Sequence, residues 1–244
     1  MKIHYTSDLH LEFGTPLNAL ENFKGGDVLI LAGDITNSKH KGLDILDPLC
    51  KRYNDVVMVM GNHEHYEGKF PLTYTKLREV LPSNVKLLEN EILTIDGQRF
   101  IGCSLWSYMN EVDQYLAKYR MNDYIRVRNG PPSEPWKHKL SPTVTVSTHM
   151  NSARWLDENM QEGDIVVTHH APSFASCNSK YTGNTAYATD LSDMILEHKP
   201  KYWIHGHLHD VVSYNIGDTA VKSNPLGYWR HQAFKPLKLL EIIC

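Results

Sequence analysis

A chain of 244 residues is long enough for one large α/β domain or two small ones, with a substantial core. Hydrophobic residues make up 41% and charged residues 22%, an ordinary globular balance, and the formal net charge of −3 argues against a chain built to coat nucleic acid. No run approaches the ~18 apolar residues of a membrane span, and the opening K-I-H-Y-T-S-D holds no apolar signal segment. The cysteines, Cys50, Cys103, Cys177 and Cys244, form no C-x-x-C pair and no disulfide framework. This combination reads as cytoplasmic, where thiols stay reduced. Histidine is the unusual residue, present 14 times and often beside Asp, Asn or Gly.

In chain order the rhythm is strand, loop, helix. Lys2 to Ser7 alternates and reads as a first strand. Val28 to Ala32 and Val56 to Met60 are apolar runs too short for helices, which suits strands covered on both faces. Lys41 to Tyr53 and Pro71 to Leu81 read as helices. Val85 to Leu88, Ile92 to Ile95 and Phe100 to Cys103 read as short strands, the last two joined by an Asp96-Gly97 hairpin turn. Ser141-Pro142 reads as an N-cap followed by proline in the first helical turn, opening a helix to about Met160. Ile165 to Val167 is a strand, Leu191 to His198 a helix, and Tyr202 to Ile204 a strand. Val211 to Ile216, Ala220 to Ser223 and Leu237 to Ile243 read as closing strands.

The stretch from Lys118 to Lys139 stands apart. Basic residues outnumber acidic ones, Tyr119, Tyr124 and Trp136 are interleaved, and Gly130-Pro131-Pro132 breaks regular structure. It reads as a long loop or cap, part of an insert at about 106–140 within a single domain spanning 1–244.

Polar groups cluster where the apolar runs stop. The first run leads into Asp8-Leu9-His10, the second into Gly33-Asp34, the third into Gly61-Asn62-His63-Glu64. The run at 165 leads into Thr168-His169-His170, and that at 202 into His205-Gly206-His207-Leu208-His209. Sites in α/β sheets form at the carboxyl ends of strands, so strands lying side by side would bring all five sets to one edge. Nitrogen and oxygen donors without thiolate suit Mn²⁺, Fe or Zn²⁺ rather than a structural zinc site. Asp8, His10, Asp34, Asn62, His169, His207 and His209 are too many donors for one first-row ion, which favours two divalent ions with a bridging carboxylate.

D-L-H, G-D, G-N-H-E, T-H-H-A-P and G-H-L-H-D, in that order, resemble the calcineurin-like metallophosphoesterase superfamily. G-C-S-L-W-S-Y from Gly102, M-N-D-Y-I-R-V-R from Met121 and N-P-L-G-Y from Asn224 are similar to a bacterial and phage branch of it. The resemblance implies a four-layer α/β/β/α sandwich. It also implies one metal on Asp8, His10, Asp34 and His209, and a second on Asp34, Asn62, His169 and His207, with Asp34 as the bridge. A metal-bridging hydroxide would attack phosphorus in line, and His63 would protonate the leaving oxygen or stabilise its charge. Manganese is the first choice of metal, with iron or zinc as alternatives. The Asp-Arg-Gly of related protein phosphatases is absent, since Ile35-Thr36-Asn37 follows Asp34. Asn37 stands where diesterase relatives often carry an Asp that orients the catalytic His, which leaves the partner of His63 unassigned.

The implied substrate is a small phosphodiester or nucleotide. The alternatives are a phosphomonoesterase or nuclease of the same fold, or a non-catalytic metal-binding scaffold. No membrane partner is expected, nucleic acid is not favoured, and the oligomeric state is open. Around the metals, Asn62, His63, His170, Arg120, Arg126 and Arg128 are the expected substrate contacts. Packing for His170 and a solvated charged face for the arginines are the plainer alternatives. Trp106, Tyr119, Tyr124 and Trp136 either stack on a base or pack a core. His4 reads as a core histidine and His205 as structural support, while Glu64 and His65 either brace ligands or lie in a solvated loop.

Overall fold

The apolar runs at 28 and 56 carry side chains on both faces, and both faces are buried. In the computed structural model, which describes residues 1–131, 133–134, 136–178, 185–228 and 240–243, β1 (Lys2–Thr6), β2 (Gly26–Ala32), β3 (Tyr53–Val59) and β4 (Val85–Leu88) run parallel in one sheet. The second sheet contains β5 (Glu91–Ile95), β6 (Gln98–Cys103), β7 (Ile165–Thr168), β8 (Tyr202–His205), β9 (Ser213–Ile216) and β10 (Thr219–Ser223). Of these, β6, β7, β8 and β10 are parallel, and β5 and β9 are antiparallel edge strands. A last strand, β11 (Glu241–Ile243), pairs antiparallel with β1 in the first sheet. Positions 237–239 of the strand read from the sequence, and Cys244, lie outside the described residues.

Alternate residues of each strand enter different cores. Val28 and Ile30 face the second sheet and pack with Ile3, Val57, Phe100, Ile165, Val167 and Ile204. Leu29 and Leu31 face outward, among Leu46 and Leu49 of α1 (Leu43–Cys50) and Leu77 of α2 (Phe70–Val80). On the far side, Ile101, Val166 and Trp203 pack with Leu156 and Ile195, from the helices Pro142–Asn159 and Ser192–His198. The result is two sheets face to face with helices outside each, and every fully buried Ile, Leu or Phe contributes roughly 1.5–3 kcal/mol by leaving water.

The Asp96-Gly97 turn joins β5 to β6 with both residues at positive φ, 47° and 81°, as a two-residue hairpin of matching twist requires. Two readings need correction. The five ligand-bearing strands do not lie side by side in one sheet: β1, β2 and β3 belong to the first, β7 and β8 to the second. The stretch after Lys118 is also not simply irregular. It begins inside α3 (Glu111–Arg120) and continues through α4 (Asn122–Arg126). The Asn110 side chain caps α3 by accepting from the Asp113 N–H at 2.9 Å, and Lys118 and Arg120 sit favourably in its last turn. Charge density hid an ordinary helix. Tyr124 and Trp106 are buried there with Val127 and Leu140, whereas Tyr119 and Trp136 are exposed. No helix of the described residues is long and apolar enough to cross a membrane.

The helix Pro142–Asn159, α5, buries His149, whose Nδ1 lies 3.2 Å from the Leu105 carbonyl oxygen. Burial holds this imidazole down to about 4 against the pull of the carbonyl contacts. The unfolded chain therefore binds more protons between about pH 6.5 and about pH 4, and stability is lost as pH falls through that window, by up to ~3 kcal/mol from this group. In urea titrations at about pH 7 and about pH 5, His149→Gln should lose measurably less stability on acidification than the parent.

Candidate metal centre

Where the two sheets face each other, their strand ends meet at one rim. Asp8, His10 and His209 bring ligand atoms within 4.8 Å of one another, and so do Asp34, His169 and His207. The Asp34 carboxylate lies between the groups: Oδ2 is 3.9 Å from His10 Nε2, and Oδ1 is 3.4 Å from His169 Nε2. The Asn62 side-chain oxygen sits 3.2 Å from the same His169 nitrogen. His10 Nε2 and His209 Nε2 are 3.1 Å apart, and His207 Nε2 is buried without a hydrogen-bond partner. Converging imidazole nitrogens and an orphaned one fit divalent cations, because each lone pair then has a common acceptor.

The backbone is bent to produce this. Asp8, His10, Asp34, His207 and His209 all adopt positive φ, between 46° and 72°. Asp and His tolerate the left-handed region better than most residues, yet each costs on the order of 1 kcal/mol. The glycines of the motifs have a steric role. A Cβ at Gly33 would strike the His169 ring, one at Gly61 would strike the Asp34 carboxylate, and one at Gly206 would lie 2.7 Å from Asp8 Oδ2. Each glycine sits one residue before a candidate ligand and makes room for a side chain from another loop.

Glu64 ties two of these loops together. Its carboxylate is 1% exposed and accepts four backbone N–H groups. Ile35 and Thr36 donate to Oε1 at 2.7 and 3.2 Å, while Asp34 and Gly61 donate to Oε2 at 3.0 and 2.6 Å. Burial and the Asp34 charge push Glu64 up to about 7, against the pull of His169 and these amides. Asp8 is fastened similarly, by the Ser7 hydroxyl at 2.5 Å and the His207 N–H at 3.1 Å. His169 Nδ1 faces the Ala32 carbonyl oxygen at 2.9 Å, leaving Nε2 for the centre.

His63 stands beside the cluster, and its partner is Glu12. Glu12 Oε1 lies 2.8 Å from His63 Nδ1 and 3.4 Å from His10 Nδ1. An ionised carboxylate only accepts, so Nδ1 of His63 carries the proton and Nε2 faces the cavity, 3.3 Å from the Tyr228 hydroxyl. Burial opposes charging His63, but Asp34 and Glu12 outweigh it and hold the imidazole up at about 9. Tyr66 stacks on its face at 4.1 Å. Asn37 instead accepts from the Lys39 N–H, closing its own turn.

A cavity of about 250 Å³ opens onto Asp34, Asn62, His63, His207 and His209. Arg120 and Asp123 also line it, from the end of α3 and the start of α4, along with Tyr66 and Tyr228. Arg126 lies outside it, 3.6 Å from Glu67 and over the Tyr66 ring. Arg128 is exposed, with its backbone bridging to Lys69 and Lys139. His170 is buried between Trp106 and His207, at ring distances of 5.2 and 4.2 Å, with Nδ1 3.3 Å from the Ser104 carbonyl oxygen. His205 is buried 2.9 Å from the Ser176 hydroxyl, and His65 is buried against Phe70. His4 is buried with Nδ1 2.8 Å from the Tyr53 hydroxyl.

Sequence reasoning missed Glu12, Tyr66, Asp123 and Tyr228. Glu12 and Tyr66 lie two and three residues beyond His10 and His63, and Asp123 and Tyr228 lie inside M-N-D-Y and N-P-L-G-Y. Tyr228 arrives because Leu226 and Gly227 donate to the Ser7 and Asp8 carbonyls, at 3.1 and 3.0 Å.

Imidazoles and carboxylates gathered at the mouth of two facing sheets form a candidate metal centre. The chain belongs to the calcineurin-like phosphoesterase family, whose sequence model matches residues 1–211. It is therefore a metal-dependent phosphoester hydrolase. It is 28% identical to the uncharacterized protein L509 of Acanthamoeba polyphaga mimivirus, covering 98% of this chain and 96% of that one. Its fold is similar to that of the phosphopantetheinyl hydrolase of Mycobacterium tuberculosis, with a TM-score of 0.70 and 17% identity over 98% of this chain and 95% of that one. A dimetal phosphatase from Danio rerio shares the fold at a TM-score of 0.51 and 12% identity, over 92% of this chain and 87% of that one.

Both oxygens of Glu64 receive two amides, so no amide orientation of Glu64→Gln avoids setting an NH₂ against N–H donors. The substitution should cost about 1–3 kcal/mol in denaturant unfolding, and metal analysis of the purified variant should find less bound metal than in the parent.

Proposed function

We propose that the protein is a phosphodiesterase acting on a small phosphodiester or nucleotide with two divalent ions. Asp8, His10, Asp34 and His209 would hold one ion, and Asp34, Asn62, His169 and His207 the other. The observation that carries this reading is the Asp34 carboxylate, with one oxygen toward each cluster of imidazoles. Burial and the nearby His170 and His169 hold His207 well below its ordinary range, which keeps it a neutral donor. Burial would raise Asp34, but His169 and His63 hold it well below the carboxylate range. When bound, the ions supply Lewis acidity toward the phosphoryl oxygens and a water. Nitrogen and oxygen donors in this number favour manganese, with iron or zinc as alternatives.

The protein's own groups do the rest. Glu12 fixes the tautomer and direction of His63, so that Nε2 can hand a proton to the departing alkoxide, in the logic of an oriented acid–base pair. The Tyr228 hydroxyl steadies that nitrogen until substrate arrives. Arg120 offers a cation to the outer end of the substrate, and Asn62 an amide to the phosphoryl oxygens. A singly charged diester suits the cavity better than a doubly charged monoester, because Asp123 adds an acidic side chain to its lining.

Metal-loaded protein should hydrolyse bis-p-nitrophenyl phosphate faster than p-nitrophenyl phosphate. Chelator should abolish both activities and Mn²⁺ restore them; turnover that survives chelation contradicts the reading. His63→Ala should lose about 10²–10⁴-fold in turnover of a diester with an alkyl leaving group at near-normal metal content. Glu12→Gln should slow a diester with an alkyl leaving group by about 10–100-fold. It should barely affect a p-nitrophenyl leaving group, which departs without a proton. Equal losses on the two leaving groups would remove His63 and Glu12 from the protonation step.

A further inference from the structure

Beside the site cavity, and sharing Tyr66 with it, lies a second cavity of about 390 Å³, walled by Glu12, Phe13, Lys41 and Arg126. That one shares Lys39 and Glu67 with a third, of about 210 Å³, between the loop after β2 and the start of α2. Lys39, Lys69, Lys76 and His40 line the third cavity, and Glu67 is its one acidic residue. Glu67 is already engaged, 3.6 Å from Arg126 and 4.0 Å from Lys39.

We propose that this third cavity is a second anion subsite, and that the substrate is a phosphodiester carrying another phosphate remote from the scissile one. The proposal rests on the phosphoesterase reading and names the chemical class of substrate for that site. Gathering three ammonium groups around one compromised carboxylate is unfavourable by itself, in a chain whose net charge is −3, and a bound anion relieves it. The field is felt locally: after burial, Lys76 is the cause that depresses His40. His40 adopts a left-handed backbone, φ 54°, in the loop that forms the wall, and its Nδ1 is buried without a hydrogen-bond partner. Lys69 is steadied 5.4 Å over the ring of Trp136, which limits the entropy it would lose on gripping an anion.

The spacing suits a compact molecule. Lys69 lies three positions beyond Tyr66, which is stacked on His63, so the backbone between them spans at most ~11 Å. Phe13, 39% exposed, lies along the intervening cavity and offers apolar surface to the organic middle of the substrate. The scissile diester sits at the metal ligands, the organic part over Phe13, and the distal phosphate among the lysines.

The test uses thymidylyl-3′,5′-thymidine with and without a 5′-phosphate, on the metal-loaded full chain. The terminal phosphate should lower KM about tenfold, as a few charge-assisted hydrogen bonds would. That ratio should fall to about one in the double variant Lys69→Ala, Lys76→Ala and persist in Lys69→Arg, Lys76→Arg. A ratio near one in the parent, or one that survives in the double alanine variant, overturns the subsite. Calorimetric titration of the same two compounds scores the subsite by the same ratio without turnover. Absence of hydrolysis with every diester would sink the catalytic reading, and equal affinities would sink the subsite.

Discussion

The buried carboxylate of Glu64 is the contact on which the centre depends. It takes N–H groups from Asp34, Ile35, Thr36 and Gly61, so the loops after β2 and β3 share one acceptor. Without it, four amides would lie at the closed end of a sheet with nothing to bind, each at a cost comparable to a lost hydrogen bond. With it, Asp34 is held at positive φ, and its Oδ1 accepts the His63 N–H at 2.8 Å. One side chain thereby sets the relative position of the Asp34 carboxylate and His63.

The rest of the rim follows from having to fit many polar side chains into one small volume. Left-handed backbone at five of the seven candidate ligands turns side chains inward from loops that otherwise leave the sheet directly. Glycine before Asp34, Asn62 and His207 removes the Cβ that would collide with a side chain of a neighbouring loop. Such local strain persists only where the surroundings over-determine it, and the two sheets do so by burying Val28, Ile30, Val57, Phe100 and Val167 in one shared core.

Glu12 links His10 and His63. A single oxygen faces Nδ1 of both His10 and His63, which directs both Nε2 atoms toward the centre. With Asn37 occupied in its own turn, the orienting carboxylate comes from the loop after β1 instead of the loop after β2. A different residue at a different point in the chain supplies the same physical requirement, a buried acceptor behind the imidazole. The helices α3 and α4 add Arg120 and Asp123 to the wall of the cavity.

Much of this was legible in the amino-acid order. Apolar runs of strand length, each stopping at Asp, Asn or His, announced the α/β class, because burial dictates the runs, and they marked the strand ends where candidate donors gather. The helices α3 and α4 were obscured by their charge, since a solvated helix and a basic loop have similar composition. The pairing of Glu12 with His63, the arrival of Tyr228 from 165 residues away and the exclusion of Asn37 were decided only by tertiary structure. So was the split of the ligand strands between two sheets. The physical reason is that hydrogen bonding and ligation depend on separations of a few ångströms, and a linear sequence states which groups exist but not which loops the packing of two sheets will press together.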